Sequence, residues 1–388
     1  DCEDRCDQIE REMRDPKAAE RFALKQSQAF VDQMEGFALE LEDELMNFSD
    51  VSYKSFVKSE SEIITLFYDK FADIPLLSRM DAVAETFIDE IETLLNRDLP
   101  EEERIPLIEK FQKMYETMDF YVLYNRFLKK EGYQTLPRRP LEKRKLRYED
   151  VYPVLYLKYR LSRQAERSNI KHLVIDEMQD YSRLQYLIIR RMFSCKMTIL
   201  GDRAQTMADQ QQDVLQFLPG IFGKDLRRIE MRKSYRNTVE IASYAANLIG
   251  VTDLELFERH GMPVLERNVT DLEAALREAV DTLFPDEKTY ETAAVIVPDE
   301  KTAERAYLIL REILAEKDFD CEKRLSWLNR DSSSFKKGLT VTTFYLAKGL
   351  EFDQVFSIFP KDEKREMMMQ AQYIAATRAL HELRVYHI

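Results

Sequence analysis

Beyond Pro153 the chain alternates short apolar runs with amphipathic segments. Seven runs of four to six mostly apolar and β-branched residues occur, at residues 172–175, 197–200, 228–231, 293–297, 339–344, 355–359 and 383–386. Such runs between helices are typical of strands that are buried on both faces. The alternation therefore predicts an α/β fold with open, mostly parallel sheets covered by helices. We expect a seam between two such sheets near residues 231–234.

Residues 1–135 carry a different pattern, with apolar positions at helical spacing and few glycines. Only two of the nine glycines lie in the first 150 residues. One stripe along a single helix face consists of Val83, Phe87, Ile88, Ile91, Leu94 and Leu95. This segment is predicted to be an all-helical module, with its aromatic residues and methionines in the core.

Charge is distributed unevenly along the 388 residues, whose net charge is −13. Residues 1–50 hold 15 Asp and Glu against 6 Lys and Arg, and such an acidic face would suit a basic protein partner. Residues 137–147 form a basic strip with a single acidic residue, Glu142. Its cations are Arg138, Arg139, Lys143, Arg144, Lys145 and Arg147. Local charge governs phosphate binding, so the strip is either a solvated linker or a phosphate contact.

Composition excludes several classes of protein. No apolar run approaches the roughly 18 residues of a membrane-spanning helix. Among the four cysteines only Cys2 and Cys6 are close in sequence, with no further Cys or His nearby to complete a zinc site. We expect a reduced, cytoplasmic protein. The chain begins with Asp1 rather than Met, and we expect it to be part of a longer polypeptide.

Two adjacent carboxylates, Asp176 and Glu177, follow the apolar run at residues 172–175. This places them at the carboxyl edge of a parallel sheet, where α/β proteins bind ligands. Asp176 could hold Mg²⁺ against the phosphates of a nucleoside triphosphate, and Glu177 could orient or deprotonate the attacking water. A structural turn is the alternative, and the following Gln179-Asp180 pair favours the site.

A second polar cluster follows the next run, where Gly201 and Asp202 precede Gln205. The glycine permits close approach of the backbone, and the amide of Gln205 could bond both a γ-phosphate and the attacking water. Without the other elements, Gly-Asp after a strand indicates only a turn.

Three further elements lie beyond the seam. Tyr235 offers a ring face for a nucleobase, and Arg236 offers a charge for phosphate oxygens, although Ser234 or Asn237 would equally serve as a helix N-cap. Gly349 marks a sharp turn before Glu351, which is placed to accept from a ribose hydroxyl.

The last element is Arg378 on a predicted helix. Its rigid, permanently charged guanidinium suits the neutralisation of transferring phosphoryl oxygens.

This series of five elements resembles that of the UvrD/Rep-type superfamily 1 helicases over residues 150–388. Three of its segments are most similar to the HelD (helicase IV-like) branch. They read Lys-Ser-Tyr-Arg, Tyr-Leu-Ala-Lys-Gly-Leu-Glu-Phe-Asp and Ala-Thr-Arg-Ala-Leu-His-Glu-Leu. The resemblance implies two RecA-like P-loop NTPase units and binding of ATP with Mg²⁺ between them. It further implies that Asp176 holds magnesium and Glu177 is the hydrolytic carboxylate. The γ-phosphate contacts would be Gln205, Arg236 and Arg378, with Tyr235 on adenine and Glu351 on the ribose.

The chain also departs from the family pattern. No Gly-x4-Gly-Lys-Ser/Thr loop occurs in it, and the nearest sequence, at Gly220 to Asp225, has the wrong spacing and final residue. Because that loop supplies most phosphate binding, we expect it to precede Asp1 and this chain alone to be inactive. The stacking aromatic after Gln205 is replaced by Thr206, and Tyr345-Leu346 stands in place of a His-Ser pair.

The spacing of the elements predicts the domain organisation. Arg236 and Lys348 are 112 residues apart, which leaves no room for the large insertion of UvrD-like helicases. HelD-type proteins instead carry a helical arm before the first carboxylate pair. We therefore expect the arm at residues 1–135, the remainder of an incomplete first RecA-like unit at 136–232 and a second unit at 233–388.

Three functions remain open from the sequence. The first is an ATP-dependent DNA helicase or translocase. The second, implied by the HelD resemblance, is an ATP-driven remodelling factor that acts on bacterial RNA polymerase through the helical arm. The third is an ATPase relic used as a binding module, which the retention of all five elements disfavours.

Overall fold

The structure is a computed structural model. It describes residues 2–163, 169–202, 205, 213–231, 233–251, 255–284, 290–317, 320–332, 337–361 and 366–388. No helix within these ranges is both long and apolar enough to cross a bilayer.

Eight helices precede the first parallel strand. They are α1 (Arg5–Arg14), α2 (Pro16–Gln26), α3 (Gln28–Glu44), α4 (Glu60–Thr65), α5 (Arg79–Leu95), α6 (Glu101–Gln112), α7 (Phe120–Lys130) and α8 (Tyr148–Leu161). The buried apolar residues of α3 to α8 share one core that runs from Phe30 to Ile188. The predicted stripe on α5 is buried at Val83 to Ile91, whereas Leu94 is 71% exposed where the helix ends. The stripe prediction therefore fails only in the last turn.

The expectation that residues 1–135 are all helical is wrong in one detail. A β-hairpin joins β1 (Val51–Tyr53) to antiparallel β2 (Phe56–Lys58). Lys54 in its turn has φ 53°, the left-handed conformation that tight hairpins require. Strands of three residues produce too short an alternation to stand out in the sequence.

The first parallel pair contains the predicted carboxylate strand. Strand β3 (His172–Ile175) pairs in parallel with β4 (Lys196–Ile199), and α9 (Arg183–Met192) connects them. Helix α10 (Val214–Phe222) follows, and its Phe217 and Leu218 pack with Ile175 and Tyr186 into a small core. This pair is the described part of the first α/β unit.

The strand expected at residues 228–231 is not formed. Ile229 and Met231 are 87% and 89% exposed, and the strand at this place is the two-residue β5 (Lys233–Ser234), parallel to β6 (Glu255–Leu256). An apolar run does not become a strand where no neighbouring strand is present to accept its hydrogen bonds. Helix α11 (Val239–Leu248) begins just after β5.

The second unit is built on a six-stranded, entirely parallel sheet in the order β7-β12-β11-β8-β10-β9. Its strands are β7 (Leu265–Asn268), β8 (Thr292–Val297), β9 (Leu325–Trp327), β10 (Gly338–Thr343), β11 (Phe352–Phe359) and β12 (Ala379–His387). Its helices are α12 (Leu272–Asp281), α13 (Glu300–Ala315), α14 (Cys321–Arg324), α15 (Phe344–Ala347) and α16 (Glu366–Thr377). The prediction of an α/β fold with parallel sheets is confirmed.

Side chains alternate between the two faces of this sheet, and each face has its own core. Ala294 and Ile296 of β8 pack toward α16 and α11, whereas Ala293, Val295 and Val297 pack toward α12 and α13. Burial on both faces explains why the central strands are continuously apolar.

Helix α1 packs away from the rest of the helical module. Ile9 is 1% exposed and belongs to the core of the second unit, on the α16 face of the sheet. On its other side, Arg11 forms an ion pair with Glu149 of α8 at 3.2 Å. The first helix therefore connects the helical module to the second α/β unit.

Candidate nucleotide site

The carboxylate pair lies at a tight turn directly after β3. Glu177 has φ 52° and ψ 50°, a left-handed conformation that ends the strand abruptly. The Glu177 amide donates to Oδ1 of Asp176 at 2.8 Å, and Asp176 is exposed. One carboxylate oxygen of Asp176 is thus used to hold the turn, while the side chain faces the open edge of the sheet.

Gln179 joins the turns that follow the two strands. Its Nε2 donates to Oε2 of Glu177 at 2.6 Å, and its Oε1 accepts from the Asp202 amide at 3.1 Å. The side chain is buried and has little freedom to move. Gln179 therefore sets the position of Glu177 relative to the Gly201-Asp202 turn.

Gly201 makes this close approach possible. A Cβ at this position would lie 2.4 Å from Cγ of Met178 and 2.5 Å from Oε1 of Gln179. It would also lie 2.6 Å from the backbone nitrogen of Met178. The sequence-based reason for this glycine, close backbone approach, agrees with the geometry.

Gln205 lies between the two units. Its Nε2 donates to Oδ2 of Asp202 at 3.0 Å, which fixes the amide from the side of the first unit. Its Oε1 accepts from Nη2 of Arg378 at 3.2 Å, and its carbonyl oxygen accepts from Lys348 at 3.2 Å. The residue thus contacts two cations of the second unit.

Arg378 is the largest fully buried side chain of the described residues, at 1% exposure. Its guanidinium donates to the carbonyl oxygens of Ile374 and Leu350 and to Oγ1 of Thr377. Within the described part of the chain it forms no ion pair with a carboxylate. Burial lowers the pKa of Arg378, and the charge of Arg236 lowers it further, while Glu177 and Glu351 oppose the shift. A buried cation held only by neutral acceptors is suited to an incoming anion.

Arg236 and Glu351 form an ion pair at 2.7 Å, with nearly half of each side chain exposed. Pairs of this exposure contribute about 0–1 kcal/mol, so an incoming ligand can separate them at little cost. Gly349, with φ 82°, makes the turn that leads to Glu351. Tyr235 is 61% exposed, and its ring centroid lies 5.6 Å from that of Phe257. The two rings form an open aromatic surface beside the cleft.

Lys348 is a site residue that the sequence reasoning left without a role. Its Nζ donates to both carboxylate oxygens of Asp180, at 2.8 and 2.7 Å, and lies 3.4 Å from Oε2 of Glu177. Burial raises the pKa of Asp180, and Lys348 opposes that shift. The signal available in the sequence was the lysine directly before the turn glycine Gly349.

Tyr373 is a second residue that the sequence reasoning did not assign. Its hydroxyl donates to Oδ2 of Asp202 at 3.3 Å, which gives α16 a contact with the first unit. Burial raises the pKa of Tyr373, so the phenol stays protonated at neutral pH.

Tyr345 turns toward α1 rather than toward the cleft. Its hydroxyl donates to Oε1 of Glu10 at 2.7 Å, and the same oxygen accepts from the Glu300 amide at 2.9 Å, at the first turn of α13. Glu10 is buried, so this carboxylate has been taken out of water and is held by its donors. Tyr345, which makes this hydrogen bond to α1, thus occupies the position where the family pattern has histidine.

The structure brings the eight predicted site residues, Asp176, Glu177, Gln205, Tyr235, Arg236, Gly349, Glu351 and Arg378, to one cleft or its rim. Glu177 and Gln205 belong to the first unit. The second unit provides Arg236, Glu351 and Arg378, whose charges interact with one another. Magnesium in nucleotide sites commonly has one or two carboxylate ligands besides phosphate and water. The single exposed carboxylate of Asp176 fits that requirement, and no cluster of three or more possible metal ligands occurs in the described ranges.

An α/β protein with a charged cleft between two parallel-sheet units is the class that this fold and site define. Residues 7–207, just over half of the chain, match the model of the UvrD/REP helicase N-terminal domain. The chain therefore belongs to the UvrD/REP helicase family, whose members are ATP-hydrolysing enzymes that generally use Mg²⁺. The expected family is confirmed.

Three solved structures illustrate the similarity. The C-terminal domain of a possible DNA helicase from Lactobacillus plantarum WCFS1 is 23% identical, with a TM-score of 0.31, over 40% of this chain and 88% of that one. The PRRSV helicase is 14% identical, with a TM-score of 0.33, over 69% of this chain and 45% of that one.

The third, the arterivirus nonstructural protein 10 helicase in complex with DNA, is 15% identical, with a TM-score of 0.29, over 69% of this chain and 51% of that one. The chain thus spans about half the length of the two viral helicases, and these TM-scores carry no argument. No curated protein matches the chain.

Proposed function

We propose that the chain forms the ATP-hydrolysing cleft of a DNA helicase or translocase, with ATP and Mg²⁺ bound between the two α/β units. The observation that carries the proposal is the buried guanidinium of Arg378, which meets Gln205 of the first unit and has no carboxylate partner among the described residues. A γ-phosphate at this place would supply the missing negative charge.

In this proposal each side chain has one role. Asp176 holds Mg²⁺, Glu177 orients and deprotonates the attacking water, and Gln205 positions that water against the phosphate. Arg236 and Arg378 neutralise the charge that develops on the phosphoryl oxygens. Tyr235 stacks on the base, Glu351 accepts from a ribose hydroxyl, and Gly349 makes the turn that presents it.

The Arg236–Glu351 ion pair gives this site a defined rearrangement on binding. Arg236 leaves Glu351 for a phosphate, and Glu351 becomes free to accept from the ribose. Because nearly half of each side chain is exposed, separating the pair costs little free energy. Either new interaction offsets that cost. Closure of the two units around the nucleotide would then alter their grip on a nucleic-acid strand.

The first test is Glu177→Gln in the polypeptide encoded by the complete reading frame. Nucleotide affinity, measured with a fluorescent ATP analogue and Mg²⁺, should stay within about threefold, since binding uses other groups. Turnover should fall at least a hundredfold, the usual scale for removal of a general base. Retained hydrolysis would show that another residue activates the water. Glu60→Gln, an exposed glutamate in the first turn of α4, is the matched control.

The second test is Arg378→Ala in the same polypeptide. Turnover should fall by about 10²–10³ while affinity for the nucleotide changes much less, because the guanidinium acts mainly on charge that develops in the transition state. An unchanged turnover number would exclude Arg378 from the chemistry. Arg311→Ala, an exposed arginine on α13, controls for the removal of one positive charge.

A second candidate is a HelD-like remodelling factor that acts on RNA polymerase. The favouring observation is the helical module, whose single core extends from Phe30 into α8 and α9 and so joins the module rigidly to the first unit. Movement at the cleft would then be passed to the module. Two measurements separate the candidates: DNA-stimulated ATP turnover supports the translocase, and co-purification with RNA polymerase at low salt supports the remodelling factor.

A further inference from the structure

The basic strip at residues 137–147 presents five cations that the cleft does not use. Arg138, Arg139, Lys143, Lys145 and Arg147 are all exposed. In the part of the chain that the structure describes, none of the five forms an ion pair with a carboxylate, although the net charge of the chain is −13. Other exposed cations of the chain also lack ion pairs in the described ranges, and what distinguishes the strip is that its cations lie within eleven consecutive residues, 137–147.

The backbone of the strip is extended. Pro140, Arg144 and Arg147 have φ between −60° and −76° with ψ between 125° and 155°, and the short 3₁₀ turn Leu141–Lys143 lies between them. The extended parts advance about 3.3 Å per residue, whereas the turn brings Arg139 and Arg144 together, and Nε of Arg144 donates to the Arg139 carbonyl at 3.0 Å.

The strip is also fixed at both ends. The hydroxyl of Tyr121 donates to the Pro137 carbonyl at 2.6 Å, and the Glu3 amide donates to the Leu146 carbonyl at 2.9 Å. In the middle, Arg144 pairs with Asp119 at 2.6 Å and stacks on the ring of Tyr121. Because the backbone is already ordered, binding of a partner costs little conformational entropy.

One end of the strip lies beside the start of α1, where the Glu3 amide donates to the Leu146 carbonyl. The positive charge of Lys145 lowers the pKa of Asp7, and Asp7 forms an ion pair with Arg330 at 2.6 Å. Arg330 follows β9, and it also pairs with Asp4 and with Glu300, which follows β8. The strip thus runs from α7 to the start of α1, and Asp7 of α1 in turn contacts Arg330 at the edge of the second sheet.

We propose that the basic strip binds the phosphate backbone of single-stranded nucleic acid. This inference rests on the proposed function, to which it adds a track-binding surface outside the nucleotide cleft. Closely spaced, exposed cations on an ordered segment match the closely spaced phosphates of a single strand. Because Leu141 is the only exposed large apolar side chain of the strip, the strip touches phosphates rather than bases and binds independently of sequence.

The test is fluorescence anisotropy of labelled oligo-dT with the 388-residue chain, without nucleotide, across a series of salt concentrations. The strip variant replaces Arg138, Arg139, Lys143, Lys145 and Arg147 by Gln. We expect its affinity at 50 mM salt to fall at least tenfold. The slope of log affinity against log salt should also fall by roughly 0.7 for each phosphate that the variant no longer neutralises.

The matched control replaces five other exposed cations by Gln, namely Lys70, Lys113, Lys129, Arg305 and Arg311. Both variants remove the same charge, so a control that stays within threefold of the parent chain supports the strip as the binding surface. Equally weakened binding in the two variants would overturn the proposal, since net charge alone would explain it. Unchanged oligo-dT binding by the strip variant would overturn the proposal as well. A strip variant that kept oligo-dT binding and lost only the binding of an acidic protein partner would assign the strip to protein docking.

Failure of the strip and failure of the proposed function give different results. The strip proposal fails if oligo-dT binding survives the five substitutions, whatever the ATP turnover. The proposed function fails if the complete reading frame shows no ATP turnover that responds to nucleic acid, even where the strip binds oligo-dT.

Discussion

At the scale of single residues, the site depends on a few side chains that each hold two partners. Gln179 bonds Glu177 through one amide atom and the Asp202 backbone through the other. Gly201 is required because Met178 and Gln179 occupy the space of a Cβ. Small changes at such positions should disturb the cleft without touching a ligand.

Gly201→Ala should destabilise the chain by about 1–3 kcal/mol, since the added methyl contacts the Met178 backbone, which cannot yield as a flexible side chain would. Urea unfolding followed by circular dichroism measures this. Gly36→Ala is the control, because it lies within α3 with open space around it and should stabilise by about 0.5–1 kcal/mol. A neutral Gly201→Ala would mean that the two turns do not approach as described.

At the scale of secondary-structure elements, α1 connects parts of the chain that are far apart in sequence. Glu10 accepts from Tyr345 in the second unit and from the first turn of α13. Arg11, its neighbour, contacts Glu149 of α8. Helix α1 therefore contacts the helical module on one side and the second α/β unit on the other.

The Glu10–Tyr345 hydrogen bond can be measured with a double-mutant cycle of Glu10→Ala and Tyr345→Phe. We expect a coupling free energy of about 1–2 kcal/mol, because each single variant removes one side of a hydrogen bond from a phenol to a buried carboxylate. Unfolding free energies of the four proteins provide the value. Glu20→Ala on the exposed face of α2 should show no coupling with Tyr345→Phe. A coupling near zero would show that this hydrogen bond does not stabilise the packing of α1.

At the scale of the whole molecule, the two α/β units meet through a small number of charged contacts. Lys348 of the second unit donates to Asp180 of the first, and Arg378 donates to Gln205. Tyr373 adds a bond to Asp202. Because these contacts involve the turns that carry Glu177 and Gln205, the arrangement of the units and the state of the cleft are linked.

Lys348→Met should destabilise the chain by roughly 2–3 kcal/mol at pH 7, since Asp180 loses the cation that offsets its burial. The pKa of Asp180 is already raised by burial and should rise further without Lys348. A carboxyl group with a raised native pKa binds its proton more readily in the folded state, so its stability penalty falls as pH falls. The deficit should therefore be smaller at pH 5 than at pH 7.

Urea unfolding at both pH values checks this, with Lys348→Met/Asp180→Asn as the companion variant. That double variant should recover part of the stability and remove the pH dependence. A deficit that is independent of pH would contradict the role given to Asp180.

The sequence by itself determined the α/β class, the central strands and the site residues that follow strand ends. Strands buried on both faces consist mostly of apolar and β-branched residues, so β8, β10 and β11 were visible as runs. Parallel strands end at a common edge, which is why Asp176, Glu177 and Gln205 could be placed together before the structure.

Only the tertiary structure decided which side chains meet across long distances. The edge strand β7 reads Leu-Glu-Arg-Asn and has no apolar run to reveal it, because an edge strand is less buried. In the run at residues 228–231 the apolar Ile229 and Met231 alternate with Arg228 and Glu230 and are exposed, and no strand pairs with this run in the described ranges. Lys348 and Asp180 are distant in sequence, as are Tyr345 and Glu10, and local periodicity carries no information about such pairs. Their contacts follow from how the units and α1 pack.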